Sequence, residues 1–136
     1  MECPQFQRRP RENLPLALGR DIAWAPVVAD LVSMPHLLIA GATGSGKSVC
    51  LHSVILSLIL RHTPAEVRLI LVDPKRVEMA VYDGIHHLIS PVVHSVGQAS
   101  SVLRKGIREM EKRYDKFALN GVVNLNEYNE RARMEK

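Results

Sequence analysis

Aromatic side chains are scarce in this sequence: one Trp, three Tyr and two Phe, 4% of the residues. A core built without them must rest on Val, Leu, Ile, Ala and Met, and an apolar fraction of 46% is enough for one. Cysteine is equally sparse. Cys3 and Cys50 lie far apart with no CxxC or other metal-ligand spacing, which argues against a disulfide framework and a thiolate metal site and reads as two free thiols in a reducing compartment. Long apolar runs are missing too. The longest, VCLHSVILSLIL at 49–60, is shorter than the about 20 residues a bilayer span needs, and it carries His and Ser. The N-terminus, MECPQFQRRPREN, has no apolar segment and does not read as a secretory signal. The chain is therefore expected to be a cytoplasmic piece with no membrane contact of its own. It shows no internal repeat and no low-complexity tract.

Charge of one sign is not in great excess. Eighteen Lys and Arg face 14 Asp and Glu, a formal charge of +4. That suits a partner bearing phosphates without demanding one. No metal cluster is expected, because His86 and His87 are adjacent in a turn region and His94 stands at no helical offset from them. The basic run Arg104, Lys105, Arg108, Lys112, Arg113 and Lys116 is interleaved with Glu109, Glu111 and Asp115, as on a solvated, salt-bridged helix face.

What is present follows an order. Residues 1–13 read as linker or disordered chain, since Pro4 and Pro10 break a helix and Arg8, Arg9 and Arg11 are solvated charges. Residues 14–31 read as short strands around a turn at Gly19, Arg20 and Asp21. HLLIA at 36–40 has the continuous apolar character of a buried parallel strand. A helix is expected from Lys47 to Arg61, apolar on nearly all sides and so buried on more than one face. VRLILV at 67–72 is a second buried strand, closed by Asp73, Pro74 and Lys75. Strand, loop, helix and strand make a βαβ unit with a right-handed crossover, an α/β fold. Asp83-Gly84 marks a turn, and PVVHSV at 91–96 is a further short strand. From Gln98 to Leu119 the apolar residues Ala99, Val102, Leu103, Ile107, Met110, Tyr114 and Phe117 fall on one helical stripe. Gly106 lies on it and suggests a close backbone approach. Asn120-Gly121 stops this helix, and LNEYNERARMEK forms the last one. Trp24 and Tyr82 read as packing residues.

Between HLLIA and the first long helix, Gly41, Ala42, Thr43, Gly44, Ser45, Gly46, Lys47 and Ser48 match GxxxxGK[ST] at every position. A loop wrapped round a phosphate must turn its backbone N–H groups inward, and the crowded or left-handed dihedrals this needs are open to Gly. The following helix adds unpaired N–H groups and the positive end of its dipole. In such a loop Lys47 reaches the β and γ phosphates, and Ser48 places its hydroxyl on Mg²⁺. The pattern predicts nucleotide binding and leaves the reaction open. No guanine-specific NKxD is present, which argues against a GTPase. Hydrolysis also needs a carboxylate on a neighbouring strand. Asp73 imitates one, yet Pro74 and Lys75 follow it, and it ends the strand directly after the loop helix.

The surrounding residues resemble one family. PVVADL at 26–31, MPHLLIAGATGSGKSV at 34–49, VRLILVDPKRVEM at 67–79, YDGIHHLISPVV at 82–93, EMEKRY at 109–114 and NLNEYN at 124–129 are similar, in this order, to the FtsK/SpoIIIE family of bacterial DNA translocases. The resemblance implies a RecA-like P-loop ATPase that uses ATP and Mg²⁺, assembles as a homo-hexamer around double-stranded DNA, and moves chromosomal DNA in cell division or sporulation. It implies a parent protein anchored in the bacterial inner membrane at the division septum. It also implies that the Mg²⁺-binding acid pair, the later strands and the catalytic arginine follow the "YN" region, so residues 14–136 would be a truncated motor domain with its catalytic residues downstream. Only the phosphate loop, Gly41 to Ser48, transfers residue by residue. Two other readings stand beside this one: a self-contained P-loop kinase or ATPase using Asp73, and a non-catalytic fragment.

Overall fold

The structure, a computed structural model, describes residues 3–8, 10 and 13–134. The described residues fall into two compact units, one within Met1–Leu69 and Val81–Pro91, the other within Ile70–Ala80 and Val92–Lys136.

The first unit is built on a hairpin. Strand β1 (Pro15–Arg20) pairs antiparallel with β2 (Pro26–Asp30), with Pro15 opposite Asp30 and Arg20 opposite Pro26. The register shifts between Ala17 and Gly19, so one residue is inserted and β1 bulges. Gly19 at φ +130° accommodates the bulge; it does not make the turn. The chain reverses further on, where the Asp21 carboxylate accepts the N–H groups of Ala23 (2.8 Å) and Ala25 (2.9 Å). Trp24 sits in this loop at φ 63° and is 76% exposed, so it is not a packing residue. Its ring projects from a reversal held by the backbone, by the Asp21 carboxylate and by the Arg20 guanidinium, which donates to the Trp24 carbonyl at 2.9 Å.

Helix α2 (Lys47–Ile59) lies on β1. Leu16, Val54 and Leu58 form the buried centre, and Leu14, Leu31, Met34, Ile39 and Leu69 pack around it. Short helix α1 (Pro4–Gln7) buries Phe6, and the Arg61 guanidinium lies 5.7 Å from that ring while donating to the Phe6 carbonyl at 3.0 Å. The expectation of linker or disorder is thus corrected at residues 4–7. Pro4 opens the helical turn, where its missing N–H costs nothing. Residues 1, 2, 9, 11 and 12 of that stretch lie outside the described residues.

Three strand expectations change. HLLIA at 36–40 joins no ladder among the described residues, and Leu38 is 90% exposed. Only Ile39 reaches the core. An apolar run of this kind becomes a buried strand only when neighbours pair with both its edges and cover both its faces. VRLILV forms isolated parallel bridges, Leu69 with Leu88 and Val72 with Val93. PVVHSV contributes only that second bridge. Helix α2 is likewise buried on one side alone, at Val54, Ile55, Ser57 and Leu58, with Val49 72% exposed.

In the second unit, α3 (Val96–Leu119) starts at Ser95, whose hydroxyl accepts the Gln98 N–H at 3.3 Å. It stops at Gly121, φ 61°, with the Val122 N–H on the Phe117 carbonyl at 3.0 Å. Helix α4 (Leu125–Met134) is opened by Asn124, which accepts the Glu127 N–H at 3.0 Å and donates to its carboxylate at 2.7 Å. The rings of Phe117 and Tyr128 meet at 5.8 Å. The apolar stripe of α3 is as expected in sequence, yet α3 buries none of its residues. A Cβ at Gly106 would meet nothing within 4 Å, so no close approach explains that glycine.

Candidate functional site

The 41–48 loop leads straight into α2. Gly44 and Gly46 take φ of +82° and +88°, left-handed conformations that strain any L side chain. A Cβ on Gly41 would run into the Ser45 hydroxyl. Gly44 and Gly46 are therefore required by their backbone conformation, whereas a side chain at Gly41 would need the Ser45 hydroxyl to turn aside. The Ser45 N–H closes a turn onto the Ala42 carbonyl at 3.1 Å.

Gly46 is the N-cap of α2 and offers no side-chain acceptor, and the first turn holds no acidic residue. The positive end of the helix, worth about half a unit charge, is left without an internal counter-charge. Lys47 folds back across the loop, its Nζ 3.4 Å from the Gly41 carbonyl. The ammonium is exposed and pairs with no carboxylate among the described residues. Backbone donors, a helix end and one cation thus converge with nothing acidic between them. That is a fit for an anion the size of a phosphate. Ser48 stands half-buried on the first turn of α2.

Two features beneath the loop escaped the sequence reading. The Ser57 hydroxyl, fully buried, accepts the Ala17 N–H at 3.0 Å and donates to the Ser53 carbonyl at 2.6 Å. Ser53 donates to the Ala17 carbonyl at 2.6 Å. Both polar groups of the residue at the β1 bulge are thereby satisfied by α2. The signal was available: two serines four apart inside an apolar helix share one face. The second feature is His52, whose Nδ1 lies 2.7 Å from the Tyr82 hydroxyl, with ring centroids 5.6 Å apart. Tyr82 is buried as expected, and burial pushes its phenol pKa up, so the proton stays on the oxygen. Nothing in the local sequence ties residue 52 to residue 82.

Asp73 is accounted for within its own unit. One carboxylate oxygen accepts the N–H of Val77 (2.9 Å), Glu78 (3.0 Å) and Met79 (3.1 Å), and the other accepts that of Lys75 (3.1 Å). The Met79 N–H foremost, helped by those of Glu78, Lys75 and Val77, holds this carboxyl below its usual range against the opposing pull of burial. The carboxylate organises the 74–79 loop, where Arg76 sits at φ 56°. The side chains of Lys75 and Arg76 point to solvent. The histidines that raised the metal question serve as hydrogen-bond partners: His87 Nε2 lies 2.7 Å from the His62 carbonyl, and Arg68 donates to the His86 carbonyl at 2.8 Å. On α3, Arg113 and Glu109 pair at 3.0 Å across one turn.

A concavity of about 940 Å³ lies at the other end of α2, lined by Ile59, Leu60, Arg68 and residues 83–87. It contains none of the loop residues, and the anion donors lie elsewhere. No helix among the described residues is long and apolar enough to cross a membrane.

Comparison with known proteins agrees with the family resemblance of the segments. The FtsK/SpoIIIE family profile matches residues 2–136. The chain is 51% identical to the DNA translocase FtsK of Halalkalibacterium halodurans over 96% of its own length, and 50% identical to that of Listeria monocytogenes over 91%. The FtsK of Pseudomonas aeruginosa is 44% identical over 98%. In each case the chain spans 16% of the relative's length. Among solved structures, the cytoplasmic domain of the Thermomonospora curvata Type VII secretion ATPase EccC superposes with a TM-score of 0.72 at 27% identity, over 96% of this chain and 16% of that one. With its α/β make-up, its glycine loop at the head of α2 and this relatedness along nearly its whole length, the chain is a partial RecA-like P-loop NTPase and belongs to the FtsK/SpoIIIE family.

Proposed function

We propose that this chain is the ATP-binding part of an ATP-driven translocase of double-stranded DNA. The observation that carries the reading is the 41–48 loop itself: left-handed Gly44 and Gly46, an uncapped helix start, and Lys47 held over the loop. The N–H groups of the loop and of the first turn of α2 bind the β-phosphate region. Lys47 exchanges its bond to the Gly41 carbonyl for the β and γ phosphates, and its side chain already spans the loop, so little reorganisation is needed. Gly41, Ala42, Thr43 and Ser45 contribute backbone. The Ser48 hydroxyl serves as a ligand to Mg²⁺. An Mg²⁺ held there would neutralise phosphate charge.

The names of the relatives, DNA translocases, support DNA as the substrate and its translocation as the activity, and we extend the reading to double-stranded DNA and to chromosome segregation during division or sporulation. By the same resemblance we extend the reading to a homo-hexamer around DNA and a parent anchored in the bacterial inner membrane at the septum. We assign residues 14–136 to the motor domain and residues 1–13 to the connection leading into it.

These 136 residues bind nucleotide without turning it over. Asp73, the acid that a self-contained kinase or ATPase would use, has its oxygens committed to four backbone N–H groups. Calorimetric titration with Mg·ATP tests both parts. Binding should be detectable and should weaken by about 10- to 100-fold in Lys47→Ala, the worth of a charge-assisted hydrogen bond. Steady-state phosphate release sensitive to Lys47→Ala would refute the second part. A folded sample with no nucleotide binding would refute the first and favour a non-catalytic fragment.

A further inference from the structure

We infer that the His52–Tyr82 hydrogen bond is a positioning contact that sets the roll of α2 and so aims the Ser48 hydroxyl at the loop. The inference rests on the nucleotide reading above and deepens it. Core anchoring of α2 begins only at Val54, and its first turn is open to solvent at Lys47 and Val49. Ser53 and Ser57 tie one face of the helix to Ala17. Successive residues turn by about 100°, so Ser48 and His52, four apart, share a different face. The bond from His52 to Tyr82 at 2.7 Å therefore pins the face that carries Ser48, one turn below it.

Tyr82 is a firm post for this tie. It is buried, and its segment is anchored by the Leu69–Leu88 pairing and by the His87 ring on the His62 carbonyl. Without the tie, the first turn of α2 keeps its backbone donors and Lys47, which act over a range of helix rolls. A cation ligand tolerates far less, because a hydroxyl must meet a fixed coordination shell. His52 and Tyr82 are positioning residues for the Mg²⁺ side of the site and touch no phosphate.

The test is titration of the whole chain with a fluorescent ATP analogue, once with Mg²⁺ and once with EDTA. The ratio of the two Kd values reports what Ser48 and the cation add. Tyr82→Phe and His52→Ala should each cut that ratio by about 3- to 10-fold, the worth of one hydrogen bond, and leave the Kd in EDTA unchanged. The double variant should lose no more than either single one. His52→Asn should restore the ratio, because its side-chain amide places a polar atom where Nδ1 stood. An unchanged ratio in Tyr82→Phe would overturn the inference while leaving the nucleotide reading standing. Equal weakening with and without Mg²⁺ would overturn it too, by making the contact merely structural. Absence of all binding by the unaltered chain would remove the nucleotide reading itself.

Discussion

Ser57→Ala separates two accounts of α2. Read as a sequence, VCLHSVILSLIL is an apolar helix with a polar blemish, and Ala at position 57 should improve it. Ala gains about 0.5 kcal/mol of helix propensity and removes a hydroxyl from an apolar surround. In the structure the same hydroxyl is fully buried and accepts the Ala17 N–H at 3.0 Å. Its removal leaves a part-buried backbone donor without an acceptor, which costs up to about 1–3 kcal/mol. The Ser53 carbonyl loses little, since it keeps its place in the helix ladder. The net expectation is a loss of about 0.5–2.5 kcal/mol. With a urea slope of about 1–3 kcal/mol per M, the unfolding midpoint should fall by roughly 0.2–2.5 M. Ser53→Ala, which deprives only the Ala17 carbonyl of a donor at 2.6 Å, should cost less. Urea unfolding followed by circular dichroism measures both, and hydrogen exchange at the Ala17 amide reports the bond directly. A midpoint in Ser57→Ala equal to or above that of the parent, with Ala17 protection unchanged, would refute the polar clamp between α2 and β1.

Other consequences are as direct. Because the folded Asp73 carboxyl titrates below its usual 3.8, its contribution to stability is complete above that value and is lost as pH falls through the lower folded one. Acid titration from about pH 5 to pH 2 should therefore loosen the 74–79 loop, seen as faster exchange of the Val77, Glu78 and Met79 amides, and Asp73→Asn should remove that acid step. Gly106→Ala should stabilise α3 by up to about 1 kcal/mol, because a Cβ there meets open space; a destabilised variant in thermal melts would restore the idea of a close approach. Gly46→Ala should cost about 1–2 kcal/mol through its φ of +88° and should weaken nucleotide binding in the titration used for Lys47→Ala. Leu38→Lys, at a site 90% exposed, should leave the unfolding free energy from urea titration within about 0.5 kcal/mol of the parent, whereas a buried central strand would not tolerate it.

The three longer helices and the stop at Asn120-Gly121 were legible in the sequence because their signals, a 3.6-residue stripe and a glycine after the last turn, are local. The starts at Ser95 and Asn124 are not legible there: residues 91–96 read as a strand, and a cap is recognised by the bond its side chain makes. The phosphate loop was legible because its signals are local too. Its glycines answer to their own dihedrals and to a neighbour four positions on, and its lysine bonds within the loop. Family membership needed no long-range contact either, since it rests on the order of quoted segments.

Pairing was decided elsewhere. Whether HLLIA and VRLILV become ladder strands depends on which backbone stands beside them, and apolar character carries no record of that partner. The bulge at Ala17 and Gly19 was legible only as a glycine, and the reversal went instead to Asp21, whose carboxylate could gather two N–H groups. Ser57, His52 and Asp73 look alike in a sequence, each a polar residue beside apolar ones. The tertiary structure gave each a different task, because a buried hydrogen bond is made with whatever group the fold brings within about 3 Å. The sequence by itself determined the glycine loop at the head of α2, to which we assign a phosphate, because its signals lie within eight residues. Only the tertiary structure decided that α2 is tied to Ala17 through Ser53 and Ser57 and to Tyr82 through His52, because those bonds join residues 30 or more apart.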